Sequence, residues 1–302
     1  MNLFVQGMRR SGTTIVYDAL LEDGGLRCLY EPFTSDKAAI GGGSGVRDRD
    51  LFADVRTLRE RFRRERRPGL DPALLNHGAP RDPELELEPD LPGYCREYLR
   101  FLLDQAPDNV VKEVRLYRKL PVVAEISPGA RLLHVVRDPR AVATSIMLGR
   151  GRKRRHLFED PNAFFTHRSE RALFASRALS EALMRRPEHR HLRGCPDLER
   201  ILLVWRVTFE HTRYDGLRCF ADHYRLMRHE DLAADPARAV SAVYELLGRP
   251  PPPRVLEWAQ RNVSGGQDVF APGDPRWSQA ATRTGLEASL RETGYEPRAA
   301  AV

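Results

Sequence analysis

Lysine is nearly missing from a chain otherwise rich in positive charge. Of the 49 lysine and arginine side chains in 302 residues, only Lys37, Lys112, Lys119 and Lys153 are lysines. The skew reads as a coding bias, and it draws attention to a lysine set in an apolar stretch. Cysteine is sparse too. Cys28, Cys95, Cys195 and Cys219 are scattered without a C-x-x-C pair, which argues against a disulfide scaffold and predicts free, buried thiols. No His/Cys spacing suits a metal site. No apolar run approaches the roughly 20 residues that span a bilayer. The first apolar run leads straight into a glycine loop, leaving no room for a signal peptide. The expectation is a cytoplasmic, soluble protein with no membrane partner.

What is present is a composition ordinary for a soluble enzyme, 41% hydrophobic and 30% charged. The length permits one large α/β domain or two small ones. The net charge of +7 favours anionic partners (nucleotides, sulfated or phosphorylated substrates, nucleic acid, acidic membranes) without choosing among them. Five strands are expected, at Leu3–Val5, Leu26–Tyr30, Asn109–Leu116, Leu132–Val136 and Tyr224–Leu232. The run Leu132–Val136 is continuous enough for a central parallel strand. Helical spacing follows the first strand, at Ile15, Val16, Ala19 and Leu20. After the fourth strand, Asp138 and Pro139 form a helix cap and first helical position. Alternating strands and helices predict an α/β fold, a parallel sheet flanked by helices around a P-loop-like core, in one domain over residues 1–302.

Two stretches interrupt the alternation. Residues 40–108 carry a GGGSG tip, the basic helical segment RTLRERFRRERR and the proline-rich acidic HGAPRDPELELEPDLPG, expected as a long loop. They end in the amphipathic YCREYLRFLLDQ. They read as an insertion over the core rather than a separate domain. Residues 150–220 open with basic GRGRKRRH and read as helical. His134, Cys28 and Trp205 read as core.

The chemistry centres on LFVQGMRRSGTTIVYDALL. Gly7 and Gly12 bracket four residues as in a nucleotide-triphosphate loop, but Thr13 stands where that loop has lysine, and Arg9 and Arg10 lie inside it. Backbone N–H groups here, with the start of the next helix, can hold an oxyanion. Without the lysine that reaches the β/γ-phosphates, a smaller or less charged group than a triphosphate is expected. The alternative is an ordinary strand–helix turn.

RRSGTT resembles the 5′-phosphosulfate loop of sulfotransferases that use 3′-phosphoadenosine 5′-phosphosulfate (PAPS). LLHVVRDPRAVATSIM is similar to the family's 3′-phosphate motif, a strand, an arginine (Arg137) and a serine eight residues on (Ser145). Fainter likenesses are LYEPF and RHEDLAADP to carbohydrate sulfotransferases, and PRW…TGYEP to the carbohydrate and tyrosyl-protein branches. Residues 40–108 and 150–220 match neither. The resemblance implies a sulfotransferase fold and sulfuryl transfer to a hydroxyl or amine. The donor would be held by Arg9, Arg10, Ser11, Gly12, Thr13 and Thr14 at the phosphosulfate, by Arg137 and Ser145 at the 3′-phosphate, and by Arg276 near the phosphate or adenine. Glu31 would be the general base, with Lys112 and Arg10 stabilising the transition state. PAPS would be the co-substrate, 3′-phosphoadenosine 5′-phosphate (PAP) the product, and no metal is required. The acceptor would be a small molecule, saccharide or phenol, not nucleic acid.

From the residues alone, Glu31 could be a strand-end surface carboxylate and Lys112 a water-facing lysine, although a lysine inside VVKEV is costly unless paired. Two rival functions stay open. One is a P-loop-type metabolite kinase, with Asp138 holding Mg²⁺. The other is a polyanion-binding protein using the arginine-rich runs. His77 is the fallback base.

Overall fold

The computed structural model describes residues 1–34, 50–77, 82–149, 155–160, 177–265 and 268–295. The GGGSG tip, most of GRGRKRRH and part of the 150–220 stretch lie outside these residues. The chain divides into two compact units, Met1–Val136 with His211–Gly266, and Arg137–Glu210 with Gln267–Val302.

The first unit is built on five strands: β1 (Asn2–Gln6), β2 (Arg27–Tyr30), β3 (Asn109–Glu113), β4 (Arg131–Val136) and β5 (Tyr224–Arg228). They form one parallel sheet in the order β2-β3-β1-β4-β5. Both faces of the sheet are covered, and the inner strands are buried accordingly, β1 from Leu3 to Gln6 and β4 from Leu132 to Val136. Successive side chains part to opposite layers. Leu3, Val5, Val110, Leu133 and Val135 join one core with helix α1 (Thr13–Leu21) and the helices Pro236–Leu247 and Pro253–Asn262. Phe4, Leu29, Val111 and Leu132 join the other core. There they meet Val55, Leu58 and Phe62 of helix α2 (Ala53–Arg66) and Tyr98, Leu99 and Leu102 of the helix Gly93–Leu103. The stretch expected as an insertion thus supplies half the packing of one sheet face.

β1 lies between β3 and β4, so the chain order reverses about it. The loop leaving its carboxyl end opens at the place where open α/β sheets hold ligands.

Three expectations need correction. The fifth strand stops at Arg228, and His229–Ala234 is a short helix with Glu230 and Asp231 in its first turn. Arg228 pairs with Val136, the last residue of β4; the ladder ends where β4 does, and the two carboxylates suit a helix start. For the same reason β3 ends at Glu113, opposite Gln6, the last residue of β1. The proline-rich acidic stretch contains the one-turn helix Pro83–Leu87, begun by Asp82, whose side chain accepts from the Glu84 amide at 3.0 Å. Its Glu86 is buried against Arg115 at 2.5 Å.

Arginines of α2, and Arg67 just beyond it, are met by carboxylates of the helix itself and of the helix Gly93–Leu103. Arg61 pairs with Glu65 at 3.2 Å, Arg63 with Glu60 at 3.1 Å and Arg67 with Glu97 at 2.5 Å. His134, Cys28 and Trp205 are buried as expected. All four cysteines are free thiols, three of them buried. No described helix is long and apolar enough to cross a membrane.

Candidate active site

Residues 7–14 turn the chain from β1 into α1. Gly12 caps that helix at φ +97° and offers no side-chain acceptor to its first amides. A Cβ at Gly12 would run into the His229 ring, and one at Gly7 into the Val135 carbonyl oxygen. Both positions therefore demand glycine, the first on two counts. Arg10 also sits at positive φ, 74°. The Ser11 amide donates to the Met8 carbonyl at 3.0 Å and closes a tight turn. Arg9 and Arg10 are exposed on its surface.

Inside the turn, polar atoms are left over. Ser11 is 1% exposed, yet its Oγ has no hydrogen-bond partner among the described residues, and neither does either amide atom of buried Gln6 at the end of β1. A buried polar group without a partner costs about 1–3 kcal/mol. A hydroxyl left without a partner beside an uncapped helix start is what an oxyanion ligand would complete.

The loop continues into a second cluster. The Thr14 hydroxyl lies 3.1 Å from that of Tyr30, the last residue of β2. The Lys112 ammonium stands 4.3 Å from the Tyr30 ring centroid and pairs with the Glu31 carboxylate. The register Tyr30↔Lys112 brings these groups together across β2 and β3. Glu31 adopts φ +44°, and its amide donates to the Lys112 carbonyl at 2.8 Å. Burial works against the Lys112 charge. The Glu31 carboxylate, with help from Tyr30 and Glu113, outweighs it and holds the ammonium above its ordinary value. Glu113 is 2% exposed and accepts from the Phe33 amide at 2.9 Å. Burial first, and then the Glu31 charge, push its carboxyl up to about 8.

Arg10–Thr14, Glu31 and Lys112 all belong to the first unit, and the chain Thr14–Tyr30–Lys112–Glu31 joins the loop to the expected base. Tyr30 and Glu113 escaped sequence reasoning. Tyr30 stood in the quoted LYEPF and Glu113 beside Lys112, but only strand register shows that they meet. The fallback base His77 is buried. Burial, and then Lys119, depress its imidazole to about 4, which leaves it neutral.

The other expected residues belong to the second unit. Arg137 is half-buried, and its carbonyl accepts from the Trp205 indole at 3.0 Å. Ser145 is half-buried on the helix Pro139–Met147. Asp138 caps that helix through the Arg140 amide at 2.8 Å and pairs with the Arg140 guanidinium at 2.5 Å. Arg276 is bound by both oxygens of Asp274, at 2.9 and 2.7 Å, donates to the Phe158 carbonyl and lies 4.2 Å from the Phe158 ring centroid. Its guanidinium is engaged in holding its own loop. Among the described residues, no three His, Cys, Asp or Glu side chains converge as a metal site.

A model described as "Sulfotransferase family" matches residues 2–185. Carbohydrate sulfotransferase 2 of Mus musculus is 29% identical over 186 residues, which cover 59% of this chain and 33% of that protein. The chain thus spans about a third of the length of this curated relative. The crystal structure of sulfotransferase STF9 from Mycobacterium avium superposes with a TM-score of 0.54 at 16% identity, over 96% of this chain and 76% of that one. The sulfotransferase domain of the Synechococcus PCC 7002 olefin synthase gives 0.46 at 16% identity, over 99% and 96%.

Proposed function

The chain belongs to the sulfotransferase family, and from that premise we propose that it transfers a sulfuryl group from PAPS to a hydroxyl of a saccharide or other small-molecule acceptor. The observation that carries the reading is the continuity of the cluster. A glycine-cornered turn with an unpartnered buried hydroxyl leads through Thr14 and Tyr30 to a buried lysine paired with a half-buried carboxylate.

On this reading the α1 amides, Ser11, Thr13, Thr14 and the Arg9 and Arg10 guanidinia hold the 5′-phosphosulfate. Arg137 and Ser145 bind the 3′-phosphate, with Arg276 in support. The acceptor oxygen attacks sulfur as the sulfur–oxygen bond to phosphate breaks, and PAP leaves. The acceptor proton passes to Glu31. Lys112, held charged, neutralises the bridging oxygen together with Arg10. The Lys112–Glu31 pair supports a coupled role, because an ammonium drawn toward the developing oxyanion leaves the carboxylate able to take a proton. The chemistry asks for no metal, and the reaction can run in the cytoplasm. The kinase reading gains nothing from Asp138, which is taken up by a helix cap and Arg140.

The deciding experiment incubates the protein with PAPS and a panel of saccharides, phenols and amines, and follows added sulfuryl groups by mass spectrometry. Sulfation of at least one acceptor is expected. Group transfer from ATP with Mg²⁺ and none from PAPS would overturn the reading.

A further inference from the structure

Residues 31–34 carry the proposed base on a backbone that should not hold itself. Glu31 lies in the left-handed region at φ +44°, a conformation that persists in a non-glycine residue only where its surroundings fix it. Pro32 has no amide to contribute. The turn has two backbone bonds of its own, Glu31 to the Lys112 carbonyl at 2.8 Å and Thr34 to the Glu31 carbonyl at 2.9 Å. The Phe33 ring is buried against Tyr98, and further hydrogen bonds to the turn's backbone come from two buried side chains. Glu113 of β3 accepts the amide of fully buried Phe33 at 2.9 Å. Arg59 of α2, 5% exposed, donates from one Nη to the Pro32 carbonyl at 2.7 Å and the Thr34 carbonyl at 3.0 Å, and from the other to the Asn76 side chain at 2.9 Å.

We propose that Glu113 and Arg59 are positioning residues for Glu31, clamping the turn 31–34 so that its carboxylate is aimed at Lys112 and the acceptor. The proposal rests on the reading of Glu31 as base and adds the device that aims it. Burying two ionisable side chains costs stability unless each is tied down. Here each is tied to the backbone of the same four residues, one gripping an amide and the other two carbonyls. The division of charge fits the task. Glu113, whose carboxyl is pushed up to about 8 by burial and then by Glu31, keeps its proton at neutrality. It can hold the Phe33 amide through Oε1 without competing with Glu31 for the Lys112 ammonium. A neutral isostere should therefore do the same work.

The test uses the full chain and four variants, Glu113→Ala, Glu113→Gln, Arg59→Ala and Glu31→Gln. Glu113→Ala is also combined with Glu31→Gln. Hydrogen exchange over peptides covering 31–34 reads the clamp. Calorimetry with PAP reads donor binding. PAPS turnover, with water or a p-nitrophenyl glycoside as acceptor, reads the rate. Glu113→Ala and Arg59→Ala are expected to speed exchange across 31–34 and to lower kcat by about ten-fold or more, while the Kd for PAP changes less than about two-fold. Glu113→Gln should restore both protection and rate. In the Glu31→Gln background, Glu113→Ala should cost nothing further, since the group it aims is gone. Unchanged exchange in both alanine variants overturns the proposal, and so do rate losses that multiply with that of Glu31→Gln. Full activity of Glu31→Gln alone would reject the base reading instead, and the exchange measurement would still decide the clamp.

Discussion

Glu31 and Lys112 are joined twice. The Glu31 amide donates to the Lys112 carbonyl at 2.8 Å, and the Lys112 ammonium donates back to the Glu31 carboxylate. The residues stand 81 positions apart in sequence and meet because β2 and β3 run parallel with Tyr30 opposite Lys112. One backbone bond and one ion pair fix the carboxylate beside a lysine that is 1% exposed.

Glu31→Gln should keep PAP affinity and lower the rate of transfer to an alcohol by roughly 10²–10⁴, measured in steady state. A phenol, whose proton leaves more easily, should suffer less. The variant also strands a buried ammonium, at a cost of about 3 kcal/mol in denaturant unfolding, since breaking a buried pair leaves an uncompensated charge. Adding Lys112→Met should recover most of that loss. Stability unchanged in Glu31→Gln would mean that the ammonium finds another partner.

Ser11→Ala separates stability from binding. The Ser11 Oγ has no partner among the described residues, so its removal should leave the melting temperature of the ligand-free protein level or slightly higher. Binding of PAP should weaken by about ten-fold, the worth of a hydrogen bond to a charged group. Calorimetry reads the second quantity and thermal unfolding the first. Equal PAP affinity in variant and parent would remove Ser11 from the donor site.

Arg137→Ala should erase the preference for PAP over AMP, because only PAP carries the 3′-phosphate assigned to that arginine. The expected loss for PAP is about 1.5–3 kcal/mol. If both nucleotides weaken alike, Arg137 serves folding rather than the 3′-phosphate.

Glu113 should leave a mark on the pH dependence of stability. Its carboxyl is raised from 4.5 to about 8, by burial and then by Glu31. Glu31, Lys112 and Tyr98 are the ionisable groups around it. Between those two values the native state holds a proton that the unfolded state has lost. This contribution is therefore full below pH 4.5 and shrinks as pH rises toward 8. Glu113→Gln removes it, so the melting temperature of the variant should gain on the parent from pH 5 to pH 8. A constant difference over that range would show that Glu113 does not titrate there.

The sequence by itself determined the local chemistry. Gly7 and Gly12 announced a turn, because the one leaves no room for a Cβ and the other needs a positive φ. The run Leu132–Val136 announced a central parallel strand, and β4 lies between β1 and β5. Asp138 and Pro139 announced a helix start, and the cap is present at 2.8 Å. RSGTT and the Arg137–Ser145 spacing carried a resemblance consistent with the family match. Tertiary structure decided where strands end and which side chains meet. The run Tyr224–Leu232 looks like strand throughout, and only the end of β4 stops it at Arg228. The stretch 40–108 read as an insertion over the core, and only the fold shows which of its residues, Val55, Leu58, Phe62 and Tyr98, are buried against the sheet. Arg276 was expected near the donor's phosphate or adenine, and only the fold shows that Asp274 and the Phe158 carbonyl hold its guanidinium. Thr14, Tyr30, Glu31, Lys112 and Glu113 form one cluster only once β2 and β3 are laid in register. Turns, caps and periodicity arise from neighbours in the chain and are written in its order. Register and ion pairing arise between segments that the chain order keeps far apart, and only folding brings those into contact.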